Sequence, residues 1–405
     1  MSKKPIESMM EISAFDPVAR DNPHPRLKSV REECPVFRDE AIKTTMLTRY
    51  EDIRGIVNDR TLWRHPRHTE EGAMARHLVD DEAEDQGPGS ILFMDEPDHS
   101  RVRLPLAKAF YARINNKKAE LEAIVDEVID AAPASGQFDL MAEIAIPVPI
   151  LIIARILGVE ADRVDEFREW SEGVILSLNP VRTPEETEKL EWGATELNAY
   201  FEQLIIERRS APQDDLISDM VQLQASGEAD MTDEELRIQL QSLLVGGNLT
   251  TTDLIGNGVW LFLTHPDQLA ALKADPSLAG AAVEEVLRYE SPVGATSRVM
   301  SDHRSVGGCP MSPHQSVFVS LHAGNRDPNT FEAPDVFDIT KKNPSHIAFG
   351  GGSHICIGAP LARIEARRAF VRLFERYPNM SLPEQEMTWR ALPFFRGLET
   401  LLVDV

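Results

Sequence analysis

Phe349 to Gly358 reads FGGGSHICIG, and from Ala359 the chain continues as APLARIEARRAFVRLF. Glycine has no Cβ and tolerates positive φ, so Gly350, Gly351 and Gly352 let a backbone turn sharply and approach a flat ligand closely. Cys356 stands just before a segment of helical periodicity, where the helix dipole and free N–H groups favour a thiolate. Gly358 allows close approach on the far side of the cysteine. Pro360 suits the first turn of a helix, where its missing N–H costs nothing. A chain that presents a thiolate to a metal looks like this; an inert buried cysteine beside a plain turn is the structural alternative.

Upstream of this loop, apolar residues recur at helical spacing through about 98–290: RLPLAKAFYARI, AELEAIVDEVIDAA, DLMAEIAIPVPILIIARIL, ELNAYFEQLIIERR, then a long segment from Asp233 to about Leu263. The second half of that segment is apolar nearly all round, as in a helix that runs through a core. Chain punctuated by Pro and Gly, with strand-like pieces such as SVFVSLHAG, fills the stretch from 291 to about 345. Residues 1 to about 65 mix Pro, charge and short apolar runs, which suggests irregular chain with a few strands from about 36. Residues 66–92 are polar, end in GPGSIL and read as a long mobile loop. The pattern predicts a mainly α fold with a minor β part, β-rich over about 36–65 and 291–345 and helical over about 98–290 and 359–376. No Gly/Ser linker, low-complexity tract or repeat divides the 405 residues, so one domain over 1–405 is expected.

With 42 Lys plus Arg against 66 Asp plus Glu, the formal charge of −24 argues against nucleic-acid binding through a general basic surface. Cys34, Cys309 and Cys356 are sparse and odd in number, which fits a reducing cytoplasm. The beginning lacks an apolar run of signal-peptide length, and no window is apolar enough to span a membrane.

The cysteine loop resembles that of the cytochrome P450 family of haem-thiolate monooxygenases, F-G-x-G-x-H-x-C-x-G: Phe349, Gly350, Gly352, His354, Cys356 and Gly358 fill its fixed positions. The resemblance runs from about residue 95 to 397 and implies the cytochrome P450 fold, a single large helical domain with small β-sheets. It implies haem b, with Cys356 as the ligand of its iron. Glu285 and Arg288 in EEVLR match the family's E-x-x-R helix, sharing one face at i, i+3. Arg298 in SPVGATSR, His99 and Arg103 in MDEPDHSRVR, and His354 take the positions that serve the haem propionates, which need cationic or donor partners when buried. GNRDP at Gly324 to Pro328 also matches. In PDVFD, Val336 stands where many members carry an arginine that completes the Glu285–Arg288 network, so another partner is needed there, with His346 a candidate.

GGNLTTTD occupies the place of the family's oxygen-activating motif on the long helix. By resemblance Gly246 and Gly247 make room for dioxygen, and Thr250 supplies the alcohol beside it. A helix threonine also returns its hydroxyl to its own i−4 carbonyl, and both roles are compatible. The usual acid before that threonine is Leu249, which can neither donate nor relay a proton. Asp253, at i+4 from Leu249, is either a relay through water or a solvated helix carboxylate.

The resemblance places pocket walls at Ile91, Leu92, Ser242, Val245, Val293, Gly294, Phe394 and Phe395, apolar apart from Ser242, which favours a small hydrophobic substrate. Arg64, His65, Arg67 and His68 are candidates to meet a substrate carboxylate. Nothing in the chain resembles a fused flavin or iron–sulfur module, so electrons are expected from a separate ferredoxin and ferredoxin reductase. Arg101, Lys108 and Arg113 on one helix, with Arg367 and Arg368 on another, are either a docking patch or scattered solvated charges. The protein is expected to act on dioxygen as a cytoplasmic monomer. The leucine at 249 keeps a second reading open, a peroxide-driven or non-monooxygenase haem-thiolate enzyme.

Overall fold

The computed structural model describes residues 6–79, 89–160, 163–342 and 345–405. In chain order the elements are α1 (Pro17–Asp21), α2 (His24–Glu33), β1 (Val36–Asp39), β2 (Thr44–Leu47), α3 (Tyr50–Asn58), α4 (Asp98–Ala131), β3 (Gln137–Asp139), α5 (Pro147–Leu157), α6 (Val164–Ile175), α7 (Pro184–Ser210), α8 (Leu216–Ser226) and α9 (Asp233–Thr264). After these come α10 (Pro266–Ala274), α11 (Ala279–Tyr289), β4 (Ala295–Val299), β5 (Arg304–Val306), β6 (Cys309–Met311), β7 (Ser316–Ser320), α12 (Leu321–Asn325), α13 (Ala359–Arg376) and β8 (Leu402–Asp404). The mainly α class with small sheets stands as expected; α9 and α13 fall where the periodicity places them, and α11 where the resemblance places the E-x-x-R helix.

Local chemistry sets the ends. Thr232 and Glu235 form a reciprocal capping box at the start of α9, with Glu235 N–H donating to Thr232 Oγ1 at 3.1 Å and Thr232 N–H to the Glu235 carboxylate at 2.8 Å. Thr183 and Glu186 do the same for α7, with Pro184 in its first turn. Ser320 ends β7 and caps α12, so SVFVSLHAG is a strand followed by a helical turn.

Two compact units emerge, Met1–Asp80 with Gly256–Cys356 and Leu382–Leu401, and Asp81–Ile255 with Ile357–Ser381 and Leu402–Val405. The first is built on the sheet β1-β2-β7-β4, in which β2 and β7 run parallel with Thr44 opposite Ser316, and the other pairs are antiparallel. Leu47, Ile53, Val57, Met300, Val317 and Phe331 form the core against it. The second unit is helical. α4 packs along α13, α5 and α8, and α6 lies on α7, while β3 and β8 form a small antiparallel pair.

Three expectations change. The first 65 residues hold helices α1 to α3 as well as strands, because VRE and YEDIRGIV are short amphipathic runs that a longer window averages away. RLPLAKAFYARI and AELEAIVDEVIDAA are one 34-residue helix, α4; the polar break between them faces outward, where Lys117 pairs with Asp214 at 2.5 Å. The described part of the 66–92 loop holds two short 3-10 turns, Pro66–His68 and Met74–Leu78, in place of featureless chain; residues 80–88 lie outside the described residues.

Candidate active site

In the first unit the cysteine loop is tied to the end of α3. Gly352 N–H donates to Asn58 Oδ1 at 2.9 Å, and Cys356 N–H donates to Phe349 O at 3.0 Å, closing the loop on itself. Gly350 and Gly352 hold φ of +72° and +63°. A Cβ on Gly352 would lie 2.5 Å from Val57 O, and one on Gly351 would lie 2.8 Å from a Val57 methyl, so these two glycines answer to packing on α3. Only Gly350 leaves space, with His354 O at 4.0 Å as the nearest atom to an added Cβ. Cys356 is exposed, while Phe349 and His354 are half-buried. Arg298, on β4 and 3% exposed, donates to Ser297 O at 2.8 Å and to Val57 O at 3.2 Å, which brings its guanidinium stem to the same end of α3 that anchors the cysteine loop.

Glu285 and Arg288 form a buried bidentate pair at 2.7 and 2.8 Å. The third partner is backbone. Arg288 donates to Asn325 O at 3.1 Å, Pro334 O at 2.8 Å and Val336 O at 3.1 Å, and Asp338 N–H donates to Glu285 at 3.0 Å. His346 does not complete this network: its Nε2 meets Glu284 at 3.1 Å, one residue away on the helix. The residues of this unit that the sequence offered as pocket walls are brought together, with Gly294 N–H donating to Phe394 O at 2.8 Å and Val293 bridged to Phe395. Arg64 is buried and donates to Ser297, and His68 and His314 stack on Trp63 at 4.5 and 5.3 Å.

In the second unit Thr250 sits mid-α9 and donates to Gly246 O at 2.9 Å. Gly246 is exposed with nothing near an added Cβ, whereas one on Gly247 would touch Ile153 of α5 at 3.4 Å; the first glycine leaves open space and the second permits helix packing. Asp253 is fully buried, which removes the solvated-carboxylate alternative. His99 and Arg103 lie one turn apart on α4, and His99 Nδ1 is 3.6 Å from Glu96. Ser90, Ile91 and Gly89 dock on α9: Ile91 N–H donates to Gln239 Oε1 at 2.9 Å, Gln239 Nε2 to Gly89 O at 3.0 Å, and Ser242 Oγ to Ser90 Oγ at 2.9 Å. Ile91 is thus held on α9 beside Gln239, with Leu92 more exposed next to it; Val245 lies one turn beyond Ser242 on the same helix.

The basic candidates are largely neutralised within this unit. Arg101 pairs with Glu235 and Asp98, Arg113 with Asp214 and Asp219, Arg368 with Asp126 and Arg367 with Glu122. Lys108 alone of the five is exposed without an ion pair among the described residues. Sequence reasoning passed over Glu365 on α13. It is 1% exposed with Oε2 unpartnered among the described residues, and burial pushes its pKa well above the usual carboxylate range. The signal was available, since Leu361, Glu365 and Ala369 share one buried stripe at i, i+4 spacing. Among the described residues no helix is long and apolar enough to cross a membrane.

A family model described as cytochrome P450 matches residues 178–395. The chain is 37% identical over 405 residues to cytochrome P450 107B1 of Saccharopolyspora erythraea, covering 97% of each. It is 35% identical over 395 residues to the vitamin D(3) 25-hydroxylase of Pseudonocardia autotrophica, covering 95% of this chain and 94% of that one. Among solved structures, the myxobacterial cytochrome P450 CYP267B1 in complex with myristic acid is similar at a TM-score of 0.88 and 32% identity, over 98% of this chain and 99% of that one.

Proposed function

The chain belongs to the cytochrome P450 family of haem-containing oxygenases, and from that premise we propose that it inserts one atom of dioxygen into a small hydrophobic molecule with electrons from a separate ferredoxin and ferredoxin reductase. The donor set fits the cofactor. The Cys356 backbone N–H closes a glycine loop that leaves the thiol exposed, and a buried arginine is anchored at the same helix end. In this reading Cys356 would hold the haem iron through its thiolate, with Phe349, Gly350 and Gly358 shaping its loop, and Arg298, His354, His99 and Arg103 would hold the propionates. When bound, the haem supplies the redox chemistry by which dioxygen is activated for attack on a C–H bond.

The residues of the chain do the rest. The start of α13 favours Cys356 as thiolate, since the helix N-terminus carries partial positive charge. Gly246 leaves room on α9, and Thr250 presents a hydroxyl whose proton is lent to Gly246 O. Glu285 and Arg288 brace the segments that carry Asn325 and Val336. One observation carries the substrate class: in the second unit Ser242, the polar residue among the expected wall positions, is already engaged by Ser90, which leaves Ile91 and Val245 there, and Val293, Phe394 and Phe395 in the first unit, as apolar surface. The names of two relatives agree, one a vitamin D(3) hydroxylase and one bound to myristic acid. Action as a single domain over 1–405, as a monomer, in the cytoplasm, belongs to the same reading.

Leu249 favours a second reading, turnover driven by peroxide, because it removes the carboxylate that would feed protons. Oxygen-18 labelled dioxygen with ferredoxin, reductase and a panel of apolar substrates separates the two. One labelled atom in the product is expected; product formed only with hydrogen peroxide transfers the conclusion to the second reading.

A further inference from the structure

The walls at Val293–Gly294 and Phe394–Phe395 are held by a buried charge cluster that no role above uses. Glu290, 2% exposed just past α11, accepts from Arg396 Nε at 2.5 Å and meets His24 Nε2 at 3.0 Å and Arg326 Nη2 at 3.4 Å. The carbonyls of Glu290 and Arg396 share one donor, Asn257 Nδ2, at 3.3 and 2.9 Å. Arg396 N–H donates to Pro292 O at 2.8 Å, its guanidinium donates to Arg20 O and Asp21 O, and it lies 3.5 Å from the centre of the Trp389 ring. Two short segments are thereby locked together on either side of the wall residues.

The wall has bonds of its own: Ser291 Oγ donates to Val293 O at 2.9 Å, His322 N–H to Gly294 O at 3.3 Å and Phe395 N–H to Leu392 O at 3.3 Å, but few of them cross between its two segments. Val293 and Phe395 make an isolated bridge, and one bond joins Gly294 to Phe394. Gly294 is pressed against His322, with an added Cβ only 2.9 Å from that ring, and Phe394 holds φ of +71°, a conformation that a phenylalanine keeps only when its surroundings impose it. Its ring is 4.8 Å from Phe318. Directional bonds to a buried carboxylate set such a register far more tightly than apolar contact does.

We propose that Glu290 and Arg396 are positioning residues for substrate selection: their clamp sets the spacing of Val293 and Phe394, and with it the shape of the apolar wall a substrate meets. The proposal rests on the reading of those residues as pocket wall. Arg396→Lys tests it, since lysine keeps a charge for Glu290 but cannot also span to Arg20 O and Asp21 O. Phe394→Ala reports on the wall, and Arg208→Lys is the control, a buried pair with Asp215 at 2.6 Å given no part in the site. The holoenzymes are titrated by absorption spectroscopy with imidazole, which needs only the haem, and with 1-dodecylimidazole, which also needs the wall.

Arg396→Lys and Phe394→Ala are each expected to weaken 1-dodecylimidazole about tenfold while leaving imidazole unchanged, as displacement of a contact surface by a fraction of an ångström does. Arg208→Lys leaves both affinities in place. A wild-type ratio of the two affinities in Arg396→Lys, beside a changed ratio in Phe394→Ala, overturns the clamp and spares the wall. An unchanged ratio in Phe394→Ala, or equal binding of both probes by the wild type, removes the wall and the clamp with it. A control that moves the ratio as far as Arg396→Lys overturns the clamp. Should Arg396→Lys lose its haem, the neutral pair Glu290→Gln with Arg396→Gln is read in the same way; loss of haem in both makes the cluster structural only and overturns the proposal.

Discussion

Replacing Arg288 by lysine isolates what backbone carbonyls contribute to the E-x-x-R network when the family's second arginine is a valine. Arg288 makes five hydrogen bonds, two to Glu285 and one each to Asn325 O, Pro334 O and Val336 O. Lysine has three donors on one nitrogen, so at least two buried acceptors lose their partner, and a bond to a charged group contributes about 1.5–3 kcal/mol. The expected loss is therefore about 3–5 kcal/mol, the range seen when a buried pair is broken. For a chain of 405 residues the unfolding entropy per residue converts that loss to a fall of about 4–6 °C in the melting midpoint. Circular-dichroism melts of the holoenzyme measure it, with His346→Gln as the comparison. His346 bonds Glu284, whose side chain is 43% exposed, and exposed pairs contribute at most about 1 kcal/mol. If His346→Gln loses as much as Arg288→Lys, the backbone account of the third partner is refuted and the histidine takes its place.

Leu249→Glu restores an acid one residue before Thr250 and is expected to raise the product formed per reductant consumed by a few-fold, within the roughly 10²-fold scope of a positioned proton donor; an unchanged ratio sinks the idea that proton supply is limiting. Gly352→Ala places a methyl 2.5 Å from Val57 O at a positive φ, so the cysteine loop has to shift, and the reduced carbon monoxide complex should lose its thiolate absorption band; an intact band would show that the loop tolerates the displacement. Glu365, raised by burial, is neutral in the fold well above the pH at which an unfolded carboxyl ionises. Its contribution is therefore intact below about pH 4.5 and is lost as pH rises toward its folded pKa, so Glu365→Met should gain stability over the wild type at pH 8 and none at pH 4 in urea titrations. Equal gains at both pH values would mean that the residue titrates normally.

Periodicity was enough to place α9, because a 32-residue helix repeats its pattern many times, though it divided α4 at its polar middle, and the cysteine loop was legible because its residues are fixed one by one. Short elements were not. α2 buries Leu27, Val30 and Arg31 in ten residues, and its stability comes from contacts such as Arg31 to Ala323 O at 2.8 Å, 292 residues away in sequence. The same distance hides pairing. Arg113 and Arg368 look like a basic patch in sequence, yet their carboxylates, Asp219 and Asp126, come from other helices and are brought in only by folding. The third partner of Glu285–Arg288 was illegible for a different reason: carbonyl groups belong to every residue, so no side chain marks which of them will face an arginine.

Proton economy on α9 follows from counting donors. Insertion of one oxygen atom leaves the other as water, which takes two protons, and a threonine hydroxyl carries one. In Thr250 that proton is committed to Gly246 O at 2.9 Å, so until the bond opens the hydroxyl can only accept. Leu249 offers none, and the hydroxyl of Thr252 is buried with no partner among the described residues. Asp253 is buried as well and lies one helical turn beyond Leu249, so any proton it passes has to be replenished along a path through the protein rather than directly from bulk solvent. On the proposed function, protons would therefore have to move in steps, each requiring a hydroxyl to turn or a water to enter. The step most open to change by mutation is the one at 249, where a single carboxylate would supply both a donor and a route to solvent.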